Sequence, residues 1–199
     1  QTVFSVQPDL SSRAIAIGMG CGASQALHDT IDYLLKEYSG TLIVDADGLN
    51  SLAMYGTDIL KDKKCNVILT PHIKEFSRIL GKTAEEVLAA PVACAQQLAR
   101  EYAATIVLKG AGTVITDGKN TVINTRGCSA LGSGDMLAGY MCGSIARGLT
   151  PFEGAVCAAY TLGAAAELAA GEVTEYCATS DDILKKIPVI VKSFCVQAH

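Results

Sequence analysis

The stretch TLIVDAD, residues Thr41–Asp47, decides how the chain folds: an apolar, β-branched run passes without alternation into two acids. A strand with one wet face alternates apolar and polar residues, whereas an unbroken run means that both faces are covered. Three other stretches have the same form: AIAIG (Ala14–Gly18), NVILT (Asn66–Thr70), stopped by Pro71, and TIVLKG (Thr105–Gly110). Helical stretches lie between them, about Ser24–Glu37 and Pro91–Ala103, the second led by a proline whose missing N–H is harmless there. Alternation of this kind predicts one α/β domain around a central, mostly parallel sheet.

TVITDGKNTVIN breaks the rhythm and reads as a hairpin turning at Asp117–Asn120. A glycine cluster follows, then two Ala-rich helices, Asp135–Arg147 and Pro151–Ala170, and an amphipathic stretch near Ser180–Ile187.

The 199 residues are 50% apolar and 18% charged, which suits a globular domain and not a disordered chain. A net charge of −4 gives no basic footprint, so neither nucleic acid nor an anionic membrane is an expected partner. The apolar run Ala155–Ala170 is broken by Glu167 and reads as too short to cross a bilayer. Eight cysteines are scattered with no Cys-x-x-Cys pair, which predicts buried free thiols, no zinc site and a reducing, cytoplasmic setting. The chain starts at Gln1 without a methionine and reads as a processed or partial sequence.

In a parallel α/β sheet, ligands bind beyond the C-terminal ends of the strands. The unusual residues cluster there: Gly18-Met19-Gly20-Cys21-Gly22, Asp45-Ala46-Asp47, Thr70-Pro71-His72 and Lys109-Gly110-Ala111-Gly112-Thr113. The segment LGSGD (Leu131–Asp135) combines glycines with a helix start, a pairing suited to holding a phosphate. Asp135 beside it reads either as a helix cap or as a base that takes a proton from an attacking hydroxyl. The lysine stretch is no Walker A loop, because it leads into a hairpin, and GMGCG is a weak dinucleotide fingerprint. His72 reads as a loop cap or a ligand contact, with Glu75 one helical turn further on. Asp45 and Asp47 suit a cation, a ribose or the cap of the next helix. Gly139 and Gly143, beside a small stripe of Ala138, Cys142 and Ala146, predict a helix packed close to a neighbouring backbone.

Taken in order, AIGMGCG, VDADGLN, LTPHIKEFSRIL, VLKGAGTVI and GCSALGSGDMLAG resemble the ADP/ATP-dependent NAD(P)H-hydrate dehydratases, a branch of the ribokinase-like superfamily. The resemblance implies a three-layer α/β/α fold and a repair lyase that dehydrates hydrated NADH or NADPH at the expense of ADP or ATP, with Mg²⁺. It implies that Asp135 is the base and touches the substrate, and that Gly132, Ser133 and Gly134 form the anion hole. Lys109, Gly110, Ala111, Gly112 and Thr113 would line the adenine-nucleotide site. Gly18, Gly20 and His72 would contact the hydrated dinucleotide, and Glu75 would lie near the magnesium. A cytoplasmic homotetramer, with or without a preceding epimerase domain, is the family expectation. The family domain begins further upstream, so residues 1–199 read as one such domain incomplete at its N-terminus. Relatives also carry a few more residues, a lysine and a glycine among them, before Gly-Ser-Gly-Asp, so Leu131 and Gly132 read as not truly bonded neighbours. A ribokinase-like kinase of a hydroxymethylpyrimidine or thiazole alcohol shares the same anion hole and base, and a nucleotide-binding module without turnover is a third reading.

Overall fold

The computed structural model describes residues 9–127 and 133–196. The expected break between Leu131 and Gly132 lies outside the described residues, as does Gly132 itself.

All four apolar runs are strands: β1 (Ala14–Ile17), β2 (Thr41–Val44), β3 (Asn66–Leu69) and β4 (Thr105–Leu108), mutually parallel. The hairpin is β5 (Thr113–Thr116) and β6 (Thr121–Asn124), added antiparallel to β4. The strands lie side by side in the order of the sequence, β1-β2-β3-β4-β5-β6. Parallel neighbours that always step in one direction need crossovers of one hand, so their helices fall on one face. That face holds α1 (Gln25–Glu37), α2 (Asp47–Tyr55), α3 (Ile73–Leu80), α4 (Ala84–Ala89) and α5 (Pro91–Tyr102). The other is covered by the C-terminal helices α6 (Ser133–Ala146), α7 (Pro151–Val173) and α8 (Ser180–Val196).

The unbroken apolar runs now have their reason. Leu42, Val44, Val67, Leu69, Ile106 and Leu108 enter the core under α1–α5, while Ile43, Ile68 and Val107 enter the core under α6–α8. Every one of these nine is at most 2% exposed, and full burial of such a side chain contributes roughly 1.5–3 kcal/mol.

Local signals set the helix starts. Ser24 caps α1 by accepting from Leu27 N–H, and Pro91 opens α5. Thr83 with Glu86 and Thr150 with Glu153 form reciprocal capping boxes at α4 and α7. The amphipathic stretch expected to end at Ile187 continues as α8 through Pro188 to Val196.

Two expectations about helices are corrected. A Cβ on Gly139 or Gly143 would meet nothing within 4 Å, and Ala146 is exposed, so of the small residues on α6 only Ala138 and Cys142 face the core. Close packing occurs on α7 instead, where a Cβ on Gly154 would sit 2.7 Å from Ile145 Cγ1. The α7 helix is also 23 residues long and apolar enough for a span by length and composition, where the sequence suggested a shorter run. It is a core helix here, with 61% of its most apolar window buried in the domain.

The six described cysteines are free, with Cys65 and Cys94 buried. Burial pushes the thiols of Cys65 and Cys142 above the ordinary range, which makes them packing groups and not nucleophiles.

Candidate active site

The C-terminal ends of β1–β4 and the head of α6 converge, and glycine makes the approach close. Gly18 follows β1 with φ +115°, and a Cβ there would lie 2.0 Å from Asp45 O and 2.6 Å from Gly48 N. The backbone after β1 therefore lies directly on the backbone after β2, and no side chain fits between them. Gly20, with φ +66°, turns the chain in the open. Asp47 closes this turn by accepting Gly22 N–H on Oδ2 at 2.8 Å. It makes no side-chain cap for α2.

Asp45 is 2% exposed, and its Oδ1 accepts from Ala46 N–H and from Lys109 Nζ, each at 2.8 Å. Ala46 adopts φ 48° and ψ −115°, a conformation that costs on the order of 1–3 kcal/mol in an L-residue. The strain turns the chain sharply as β2 ends and leaves the Asp45 carboxylate folded over the next N–H. A Cβ on Gly134 would be 3.6 Å from Asp45 Oδ2 and 3.8 Å from Lys109 Nζ. The buried ion pair thus lies against the first turn of α6, where N–H groups without intrahelical partners and the positive end of the helix dipole favour an anion.

His72 sits beside Lys109. The two form a parallel bridge, with Lys109 N–H donating to Pro71 O at 2.8 Å. His72 is the N-cap of α3: its Nδ1 accepts from Lys74 N–H and Glu75 N–H at 3.1 and 3.2 Å. Acceptance there places the ring proton on Nε2. Glu75 completes the capping box, its Oε2 accepting His72 N–H at 2.9 Å and its Oε1 lying 3.4 Å from His72 Nε2. Both oxygens of the carboxylate expected near magnesium thus face His72. The His72 ring is still 49% exposed and so has a free face for a ligand.

From this corner a cleft of about 600 Å³ opens, within the range of roughly 300–1,000 Å³ usual for small-molecule sites. Lys109, Gly110, Ala111, Thr113 and Gly134 are among its lining residues. Gly112 is not among the lining residues; a Cβ there would touch Ile123 Cγ2 at 3.4 Å. Met136, Leu137, Leu162, Ala166 and Ile183 line the cleft as well, together with Asn124, Arg126, Gly127, Gly163 and Glu175. The lining joins the Lys109 ammonium and the head of α6 to apolar side chains, a combination that suits a phosphate joined to a flat ring system. Asp135 stands exposed on the first turn of α6, one residue from Gly134, and does not line the cleft. The Ser133 side chain lies outside the described atoms.

No motif announced the contribution from β6, α7 and α8. Asn124 Nδ2 donates to both Arg126 O and Ala159 O at 3.1 Å, tying the exit of the hairpin to α7. Arg126 pairs with Glu167 at 2.5 Å and lies 5.6 Å over the Tyr160 ring, while Glu167 Oε1 accepts Gly127 N–H at 3.0 Å. The Arg126 guanidinium holds the Glu167 carboxyl below its ordinary range. Glycines on α7 facing a polar hairpin exit were the available signal, although no motif spans them.

A family model described as NAD(P)H-hydrate dehydratase matches residues 4–189. The bifunctional NAD(P)H-hydrate repair enzyme Nnr of Moorella thermoacetica is 36% identical over 183 residues, 90% of this chain and 34% of the relative. The ADP-dependent (S)-NAD(P)H-hydrate dehydratase of Cenarchaeum symbiosum is 38% identical over 132 residues, 65% of this chain and 46% of the relative. The chain therefore spans less than half the length of either. The crystal structure of the ADP/ATP-dependent NAD(P)H-hydrate dehydratase of Bacillus subtilis, co-crystallised with ATP/Mg²⁺, superposes with a TM-score of 0.81 at 28% identity, covering 93% of this chain and 68% of that one. A ribokinase-like superfamily protein of Enterococcus faecalis shares the fold, with a TM-score of 0.73 at 24% identity over 93% of this chain and 64% of that one.

Proposed function

The chain belongs to the NAD(P)H-hydrate dehydratase family, and from that premise we propose that it dehydrates hydrated NADH or NADPH at the expense of ADP or ATP. The observation that carries this reading is the meeting of Lys109 and Gly134 at the head of α6, where both line the cleft.

In this reading the nucleotide lies along the cleft with its terminal phosphate at Gly134 and Lys109 and its ring system toward Leu162 and Ile183. Asp135 takes the proton of the substrate hydroxyl, and the hydroxyl oxygen attacks the terminal phosphorus. The bond from phosphorus to the leaving AMP or ADP breaks, its charge met by the Lys109 ammonium and the helix N–H groups. The phosphate ester then departs as phosphate, a proton leaves the adjacent carbon and the ring double bond returns. His72 offers its exposed ring face to the hydrated dinucleotide, and the Gly18–Gly20 turn shapes the floor beneath. Magnesium would arrive on the phosphates, since Mg²⁺ typically keeps only one or two protein carboxylates.

We extend the proposal to a cytoplasmic protein, in keeping with its free cysteines, and to a homo-oligomer. We extend it also to an epimerase partner domain, in keeping with the greater length of the relatives named bifunctional. The test is to incubate the protein with hydrated NADH and either nucleotide, following the absorbance of restored NADH. No recovery with either ends the reading, and a stable phosphorylated alcohol would identify a kinase instead.

A further inference from the structure

Lysine is a poor positional device by itself, since four rotatable bonds let its ammonium wander. At Lys109 that freedom is removed by a carboxylate from a distant strand. Asp45 ends β2, its side chain is 3% exposed, and its Oδ1 holds Nζ at 2.8 Å while also taking Ala46 N–H. The strained backbone at Ala46 maintains that orientation. The lysine side chain keeps 25% of its surface open toward the cleft, and both partners lie within 4 Å of where a Gly134 methyl would be. A buried ion pair is a poor source of stability, because desolvation offsets much of the attraction. The placement of this one, between a helix head and a cleft, points to function.

We propose that Asp45 is a positioning residue: it pins the Lys109 ammonium beside Gly134, so that the ammonium receives the terminal phosphate of a nucleoside diphosphate. The proposal rests on the nucleotide reading of the cleft. It assigns to Asp45 no contact with the nucleotide. Its effect is selective, because only ligands that carry the terminal phosphate reach Lys109.

The experiment measures Kd for ADP and for AMP by calorimetry on the full chain, with wild type, Asp45→Asn, Lys109→Met and the double variant. Wild type is expected to prefer ADP, and Lys109→Met to lower that preference by about tenfold or more, the size of one charge-assisted hydrogen bond. Asp45→Asn should lower it similarly while AMP affinity stays within about twofold, and the double variant should lose no more than Lys109→Met alone. Equal weakening of ADP and AMP, additive losses, or no ADP preference in wild type would overturn the proposal. If Asp45→Asn does not fold, NMR of the wild-type Lys109 ε-methylene decides: a held stem gives two distinct proton shifts that move with ADP and not with AMP. Averaged or unmoved signals refute it. Turnover of hydrated NADH is assayed in parallel. Selective ADP loss without wild-type turnover sinks the dehydratase reading alone, and turnover without selective loss sinks only the role of Asp45.

Discussion

A methyl group on Gly163 would lie 2.6 Å from the carbonyl oxygen of Arg126, a separation that non-bonded Cβ atoms essentially never show. The missing side chain lets α7 meet the exit of the hairpin and form one wall of the cleft. Gly163→Ala must push the two apart and is expected to destabilise by about 1–3 kcal/mol despite the better helix propensity of alanine. Gly171, on the same helix, has nothing within 4 Å of its would-be Cβ. There the same change is expected to stabilise by roughly 0.5–1 kcal/mol. Opposite shifts in melting temperature check the pair, and two shifts of the same sign would refute the close approach.

Asp135→Asn keeps the size of the side chain and removes the proton acceptor. Turnover is expected to fall by about 10²–10⁴-fold. Calorimetry should find ADP binding within a few-fold of wild type; a residual rate near wild type would rule Asp135 out as the base.

His72 serves as a helix cap and, in the proposed reading, as a substrate contact, and two substitutions separate the roles. His72→Ala loses the cap and should cost about 0.5–2 kcal/mol in urea melts. His72→Asn supplies a new capping oxygen and should retain most of that stability, yet raise KM for the hydrated dinucleotide as much as alanine does. Normal KM in the asparagine variant would confine His72 to capping.

Glu167 gives a pH dependence with a definite sign. Its carboxyl is held below the ordinary 4.5 chiefly by the hydrogen bond from Arg126, helped by Gly127 N–H. The unfolded chain therefore binds this proton more readily than the folded one, and stability rises with pH between the two values. The contribution is fully present above pH 4.5 and is lost as pH falls through the lower folded pKa. Thermal melts across that acid window should show a steeper decline for wild type than for Glu167→Gln, and equal slopes would exclude the pair as the cause.

The α/β architecture was legible because double-sided burial leaves a local trace: TLIV and TIVL cannot serve a sheet with one wet face. The capping boxes at Thr83 and Thr150 were equally local. The pairing of Asp45 with Lys109 was not, since 64 residues separate them and each has an ordinary explanation within its own motif. The wall supplied by α7 stayed hidden for a related reason, because Ala and Gly in a helix signal small size without saying what approaches. The stripe on α6 misled on this point: Gly139 and Gly143 have the spacing of a close contact and meet none.

The strict left-to-right strand order divides the labour along the chain. Everything needed for the layer over α1–α5 is synthesised before α6, whereas Ile43, Ile68 and Val107 must wait for α6 and α7 to cover them. A nascent chain paused after β6 would present a bare apolar sheet face, a surface suited to chaperone capture or aggregation. The phosphate end of the cleft is then among the last features to mature, because Lys109 and Asp45 stand ready while the helix head beside them is still unmade.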